Sequence, residues 1–167
     1  MRVILALLLL AALPARAFEF EALEGGTIDL SALSGGPVLV VNTASLCGFT
    51  DQYAELQALH ERYGEQGLTV LAVPSDAFRQ ELADADSVAE FCEVNYGLTL
   101  PMTAITDVTG ADAHPFYRWL ADAHGAAPRW NFYKALLAPG GDLLAFETSS
   151  TKPLSPRMID LVESALP

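Results

Sequence analysis

The chain has 167 residues, 51% of them hydrophobic and 18% charged, which suits one domain with a substantial core and excludes a disordered protein. Nine basic residues against 21 acidic ones leave a net charge of −12, too acidic for a face that neutralises nucleic-acid phosphates or docks on an anionic membrane. Two cysteines are too few for a disulfide framework or a four-thiolate zinc site, but they can make one disulfide.

In chain order, Met1-Arg2 precedes the apolar run Val3 to Leu13, which Pro14 breaks before Ala15-Arg16-Ala17. A short basic start, an apolar stretch and a small-x-small end predict a secretory signal peptide over residues 1–17, cut after Ala17. The apolar run spans only about half of the ~30 Å hydrocarbon core, so a membrane anchor is not expected. The protein is therefore expected to be exported, with the bacterial periplasm the destination that so simple a leader suits. Both cysteines then lie in a compartment where disulfides persist.

One domain is expected over residues 18–167. Phe18 to Leu23 alternates apolar and acidic residues, Gly25-Gly26 follows, and Thr27 to Leu30 alternates again, which predicts an N-terminal β-hairpin. Gly35-Gly36-Pro37 opens Val38 to Asn42, a run that reads as a strand buried on both faces. Helical spacing of Tyr53, Leu56, Leu59 and Tyr63 predicts a helix over Gln52 to Tyr63. Leu68 to Val73 is a second buried strand, stopped by Pro74.

Asp86 or Ser87 is expected to cap a helix through Tyr96, with Gly97 as its stop. A short strand is expected from Met102 to Ile105, and a helix from His114-Pro115 to about Ala123. Phe132 to Leu137 and Leu143 to Glu147 flank Pro139-Gly140-Gly141-Asp142 as a second hairpin, and Ser155-Pro156 opens a C-terminal helix ending near Leu166. The order ββ-βα-βα-βα-ββα predicts an α/β protein with a thioredoxin-like fold, a mixed central sheet flanked by helices and an N-terminal β-hairpin.

Cys47 follows a buried strand and precedes a helix. That placement aims backbone N–H groups and the helix dipole at its sulfur, which favours the nucleophilic thiolate over an inert core cysteine. The surrounding segment, Asn42-Thr43-Ala44-Ser45-Leu46-Cys47-Gly48-Phe49-Thr50 with Tyr53 and Leu56, closely resembles the active-site segment of the glutathione peroxidase family. Four further stretches resemble it in the same order: Leu71 to Pro74 with Phe78 and Gln80-Glu81, Phe91 to Gly97 with Pro101, His114 to Tyr117, and Arg129 to Lys134.

The resemblance implies a peroxidase that reduces hydrogen peroxide and organic or lipid hydroperoxides, with a role in the response to oxidative stress. Its nucleophile matches Cys47, which passes through a sulfenic acid. The family's Gln, Trp and Asn match Gln80, Trp130 and Asn131, types that donate hydrogen bonds without themselves reacting. Gln80 sits in a departure from the pattern. The family reads Pro-x-Asn-x-Phe-Gly-x-Gln-Glu, whereas Pro74 to Glu81 lacks one residue and carries Asp76 in place of the Asn.

Cys92 matches the resolving cysteine of the two-cysteine, thioredoxin-using branch, which implies a Cys47–Cys92 disulfide reached by local unwinding of its helix. The reductant is then a thioredoxin-like protein or glutathione, although the arginines show no cluster marking a glutathione site. A short stretch between His114 and Trp130 lacks the insertion of tetrameric members, so a monomer is expected. No cofactor and no metal site is expected; His60, His114 and His124 read as surface or packing residues. Other readings on this scaffold are weaker. An exported disulfide oxidoreductase lacks its second cysteine, since Thr50 stands three residues after Cys47. A copper carrier lacks one four residues on, where Asp51 stands. The remaining reading is a non-catalytic binding protein.

Overall fold

A computed structural model describes residues 17–167, so all but the last residue of the expected leader lies outside it. The apolar run Val38–Thr43 forms β3, buried along its whole length, and Thr69–Pro74 forms β4 parallel to it. Such strands carry no polar face because helices cover both sides of them. The hairpin of β5 (Lys134–Leu137) and β6 (Leu143–Glu147) adds antiparallel to β3, giving the order β4-β3-β5-β6. This is a thioredoxin-like mixed sheet.

Side-chain alternation along the strands divides the core into two layers. Leu39, Val41, Val70, Ala72 and Leu136 face α2 (Gln52–Tyr63), α3 (Ala85–Tyr96) and α5 (Pro156–Ala165), meeting Tyr53, Leu56, Val88, Cys92 and Met158. Val38, Val40, Leu71 and Val73 face the other way, onto Phe116, Tyr117 and Leu120 of α4 (Pro115–His124). Phe20 of β1 (Glu19–Glu21), which pairs with β2 (Thr27–Asp29), joins that second layer. Each fully buried large apolar side chain contributes about 1.5–3 kcal/mol. Gly36, just before β3, is required by close approach, because a Cβ there would run into the Gly67 carbonyl.

The structure revises four of the local expectations. Asp84, rather than Asp86 or Ser87, caps α3: its backbone is extended and its Oδ1 accepts the Ser87 N–H at 2.8 Å, leaving Asp86 in the first turn, where its charge suits the helix dipole. Leu30 leaves the hairpin and starts a one-turn helix, α1 (Leu30–Leu33), because the Asp29 carboxylate takes both the N–H and the hydroxyl of Ser31. Met102 to Ile105 makes no strand, only single bridges from Met102 to Ala72 and from Thr103 to Ala22. The Thr103 and Thr106 hydroxyls both donate to Ala104 O and bend the chain away from a ladder. Finally, β5 begins at Lys134 rather than Phe132, since Phe132 has a left-handed φ of 63°. The helix expected to start at His114-Pro115 forms, with His114 Nδ1 accepting the Phe116 N–H at 3.2 Å.

Candidate active site

Cys47 lies in the turn between β3 and α2, with only 4% of its surface exposed, and its neighbour Leu46 is 61% exposed. The amides expected to point at the sulfur are partly spent elsewhere: Thr50 N–H donates to Cys47 O, Gln52 N–H to Phe49 O and Tyr53 N–H to Thr50 O. A different segment fixes the turn from outside. Leu46 N–H donates to Gln80 O at 2.8 Å, and Ser45 N–H donates to Glu81 Oε1 at 3.0 Å. Residues 80–81 are thus stapled to the two residues just ahead of the cysteine.

The shortened loop keeps Gln80 at the site by a backbone device. Arg79 adopts a left-handed φ of 58°, its N–H donates to Asp76 O, and the Asp76 carboxylate accepts the Glu81 N–H at 3.2 Å. Asp76 therefore does useful work where the family pattern has Asn: it closes the turn. Gln80 Oε1 then accepts from Asn131 Nδ2 at 3.0 Å, which brings those two predicted residues together. That bond leaves the Gln80 amide N–H groups free to donate. Asn131 itself is wholly buried, and its Oδ1 has no partner among the described residues.

Trp130 and Asn131 are held by their backbone. Asn42, at the end of β3, donates from Nδ2 to Trp130 O at 3.0 Å and accepts the Tyr133 N–H on Oδ1 at 3.1 Å. Ser149 Oγ donates to Asn131 O at 2.6 Å, and Gln52 Nε2 donates to Ser149 O at 2.7 Å, tying this loop to the first turn of α2. Lys134 Nζ donates to Phe132 O at 2.7 Å from a fully buried position. Trp130 is 42% exposed and its ring lies 5.5 Å from the Phe78 ring, so the indole packs at the surface and not in the core.

Cys92 sits on the buried face of α3 in the same apolar cluster as Cys47, and both thiols are free. Burial pushes the Cys92 thiol up to about 11; the neighbouring Tyr53 hydroxyl opposes that rise and the Glu81 charge adds to it. Glu81 is buried too, and desolvation raises its carboxyl above the usual range despite the two N–H groups it accepts. Cys92 also lines a cavity of about 700 Å³ between the N-terminal hairpin and residues 97–102.

Sequence reading missed Asn42, Lys134 and Ser149 as supports and quoted Glu81 only as part of a motif. A signal existed for the first two: each is a polar residue next to the apolar run of a strand, and a buried polar group has to find a partner. Nothing local marked Ser149.

The family described as Glutathione peroxidase matches residues 16–121. The chain is 39% identical over 142 residues to the glutathione peroxidase homolog BsaA of Halalkalibacterium halodurans, covering 82% of this chain and 90% of that one. It is also 39% identical over 147 residues to the hydroperoxy fatty acid reductase gpx1 of Synechocystis sp., covering 81% and 87%. Among solved structures, GPX1 of T. cruzi has a TM-score of 0.66 and 30% identity, over 89% of this chain and 93% of that one.

Proposed function

The chain belongs to the glutathione peroxidase family, and on that premise we propose that it is a thiol peroxidase whose nucleophile is Cys47. The Cys47 thiolate attacks the terminal oxygen of a hydroperoxide, the O–O bond breaks, and water or an alcohol departs while the sulfur becomes a sulfenic acid. A hydroperoxide brings one O–H donor and oxygens that accept. The free Gln80 amide donates to the oxygen that develops charge, and the wholly buried Asn131 holds that amide in place through its bond to Gln80 Oε1. The Gln80–Asn131 pair beside the Cys47 turn is the observation that carries this reading.

Resolution falls to Cys92: its sulfur attacks the sulfenic acid, forming a Cys47–Cys92 disulfide and releasing water. A disulfide needs Cα atoms within about 7 Å, so the C-terminal half of α3 unwinds first. The left-handed Gly97 and the 74% exposed Val94 mark the end that loosens at least cost. A thioredoxin-like protein, or glutathione, then reduces the exposed disulfide. Leu46, Phe49 and Trp130 form an exposed apolar rim suited to the body of an organic hydroperoxide. The short stretch between His114 and Trp130 supports a monomer, and the leader expected over residues 1–17 supports a location outside the cytoplasm.

The test is to treat the reduced mature protein with one equivalent of hydrogen peroxide and record its intact mass. A loss of two hydrogens with a peptide linking Cys47 to Cys92 is the expected outcome. Oxygen added at Cys47 with Cys92 still alkylatable gives a one-cysteine enzyme instead. No change within minutes sinks the peroxidase reading.

A further inference from the structure

The cavity beside Cys92 takes no part in the peroxide step. Its walls come from segments far apart in the chain: the N-terminal hairpin supplies Leu23 and Ile28, and the stretch that follows α3 supplies Leu98 and Met102. Leu23, Ile28 and Leu98 are only half-buried, so apolar surface faces this space from both sides. A space of about 700 Å³ lies in the range that holds small organic molecules.

The backbone and hydroxyl groups of the wall are already engaged. Leu23 N–H donates to Met102 O at 2.9 Å, and the Gly97 and Leu98 N–H groups donate to Glu93 O and Cys92 O. Thr99 donates its N–H to Gln57 Oε1 at 2.9 Å, and its hydroxyl accepts from Gln57 Nε2 at 2.8 Å. Two carboxylates are the exception, Glu24 from the hairpin turn and Glu93 from α3. Both line the cavity and are exposed, and neither has an ion pair or a side-chain hydrogen bond among the described residues. Among those residues no lysine, arginine or histidine lines it. An apolar recess edged by two unpaired anions disfavours a carboxylate guest and favours one with a cationic head.

We propose that this cavity is a binding site for a small apolar molecule with an ammonium head, and that its occupation delays the Cys47–Cys92 disulfide. The second half rests on the reading of Cys92 as the resolving residue. Cys92, Glu93 and Gly97 belong to the end of α3 that unwinds before the disulfide forms. Unwinding therefore removes one wall, and the ligand binds the wound form alone. A ligand that binds one of two states shifts the balance toward it by the factor 1 + [L]/Kd. At about ten times Kd, resolution slows about tenfold. Cys47 does not line the cavity, so sulfenic acid formation is left as it is.

Hexylammonium chloride serves as the probe on the reduced protein, with hexanoate and hexanol as guests of matched length. Titration followed by amide NMR is expected to give saturable shifts at Gly25, Gly97 and Leu98, with a Kd on the order of 1 mM, ordinary for so small a ligand. Hexanoate should bind at least about tenfold more weakly and hexanol about threefold more weakly. Glu24→Gln combined with Glu93→Gln, both at exposed positions, should abolish that preference. Shifts that fall elsewhere, or equal binding of the three guests, would overturn the site. Single-turnover measurements then separate sulfenic acid formation, trapped by a dimedone probe, from disulfide formation, read by alkylation and mass. At about 10 mM hexylammonium the second step should slow about tenfold while the first stays within about twofold. A disulfide rate unchanged at saturation would overturn the link to α3. If the parent makes no Cys47–Cys92 disulfide, the reading of Cys92 fails on its own, and the titration still decides whether the cavity binds.

Discussion

Replacing Lys134 by Met separates what a buried charge costs from what it positions. Lys134 is wholly buried at the start of β5, and burial brings its ammonium down to about 8 from an ordinary 10.5, against the pull of Glu55 and Glu147. Keeping the group charged in the folded state therefore works against folding by about 3 kcal/mol. The hydrogen bond it donates to Phe132 O returns about 1.5–3 kcal/mol, the range for a charged donor. Near pH 6.5, Lys134→Met should therefore range from neutral to about 2 kcal/mol more stable than the parent.

The folded value lies below the unfolded one, so the penalty is present in full below about pH 8 and is relieved as pH rises from about 8 to 10.5. Across that window the parent gains about 1.4 kcal/mol per pH unit on the variant, or about 2 kcal/mol by pH 9.5. Guanidinium unfolding under reducing conditions at these two pH values measures the difference. Comparing the two chains at each pH cancels the thiols and tyrosines that titrate nearby. A stability difference that stays constant between them would refute the reasoning. Activity should move the other way, because Phe132, whose carbonyl takes this bond, directly follows Asn131. A peroxide-reduction rate about tenfold lower is expected from a loosened site.

Asn42→Ala removes the bonds to Trp130 O and the Tyr133 N–H, and should cost about 2–4 kcal/mol by chemical denaturation together with peroxide-reduction rate; a cost below about 1 kcal/mol would mean that water replaces both. Arg79→Gly relieves a left-handed side chain at the position next to Gln80. It should raise stability by up to about 1 kcal/mol and leave peroxide reduction unchanged, and a clear loss in thermal unfolding would show that the Arg79 side chain contributes contacts of its own. Gly36→Ala drives a methyl group against the Gly67 carbonyl and should lower stability by about 1–3 kcal/mol, measured by the shift in unfolding midpoint; an unchanged midpoint would mean that the backbone yields freely there.

Gln80 illustrates where reading along the chain reaches its limit. The missing residue and the Asp76 substitution are plain in the sequence, yet whether the amide still reaches the site depends on Arg79 turning left-handed and on Asp76 capping Glu81. Local propensity disfavours that turn for a non-glycine residue. Only closure of the loop against Leu46 and Ser45 holds it. The α3 cap is a milder case: Asp84, Asp86 and Ser87 all cap well, and the choice between them came from where the chain emerges from the loop.

By itself the sequence determined the four strands of the central sheet, the four long helices and their alternation, and it singled out Cys47 as the candidate nucleophile. Period-two and helical apolar spacing report burial directly, and a cysteine between a buried strand and a helix is a local pattern. Tertiary structure alone decided the supports of the site. Asn42 reaches Tyr133 across 91 positions, Glu81 reaches Ser45 across 36, and Gln52 reaches Ser149 across 97. Such partners are chosen by which buried polar groups the packed core leaves facing one another, and no spacing along a single chain encodes that.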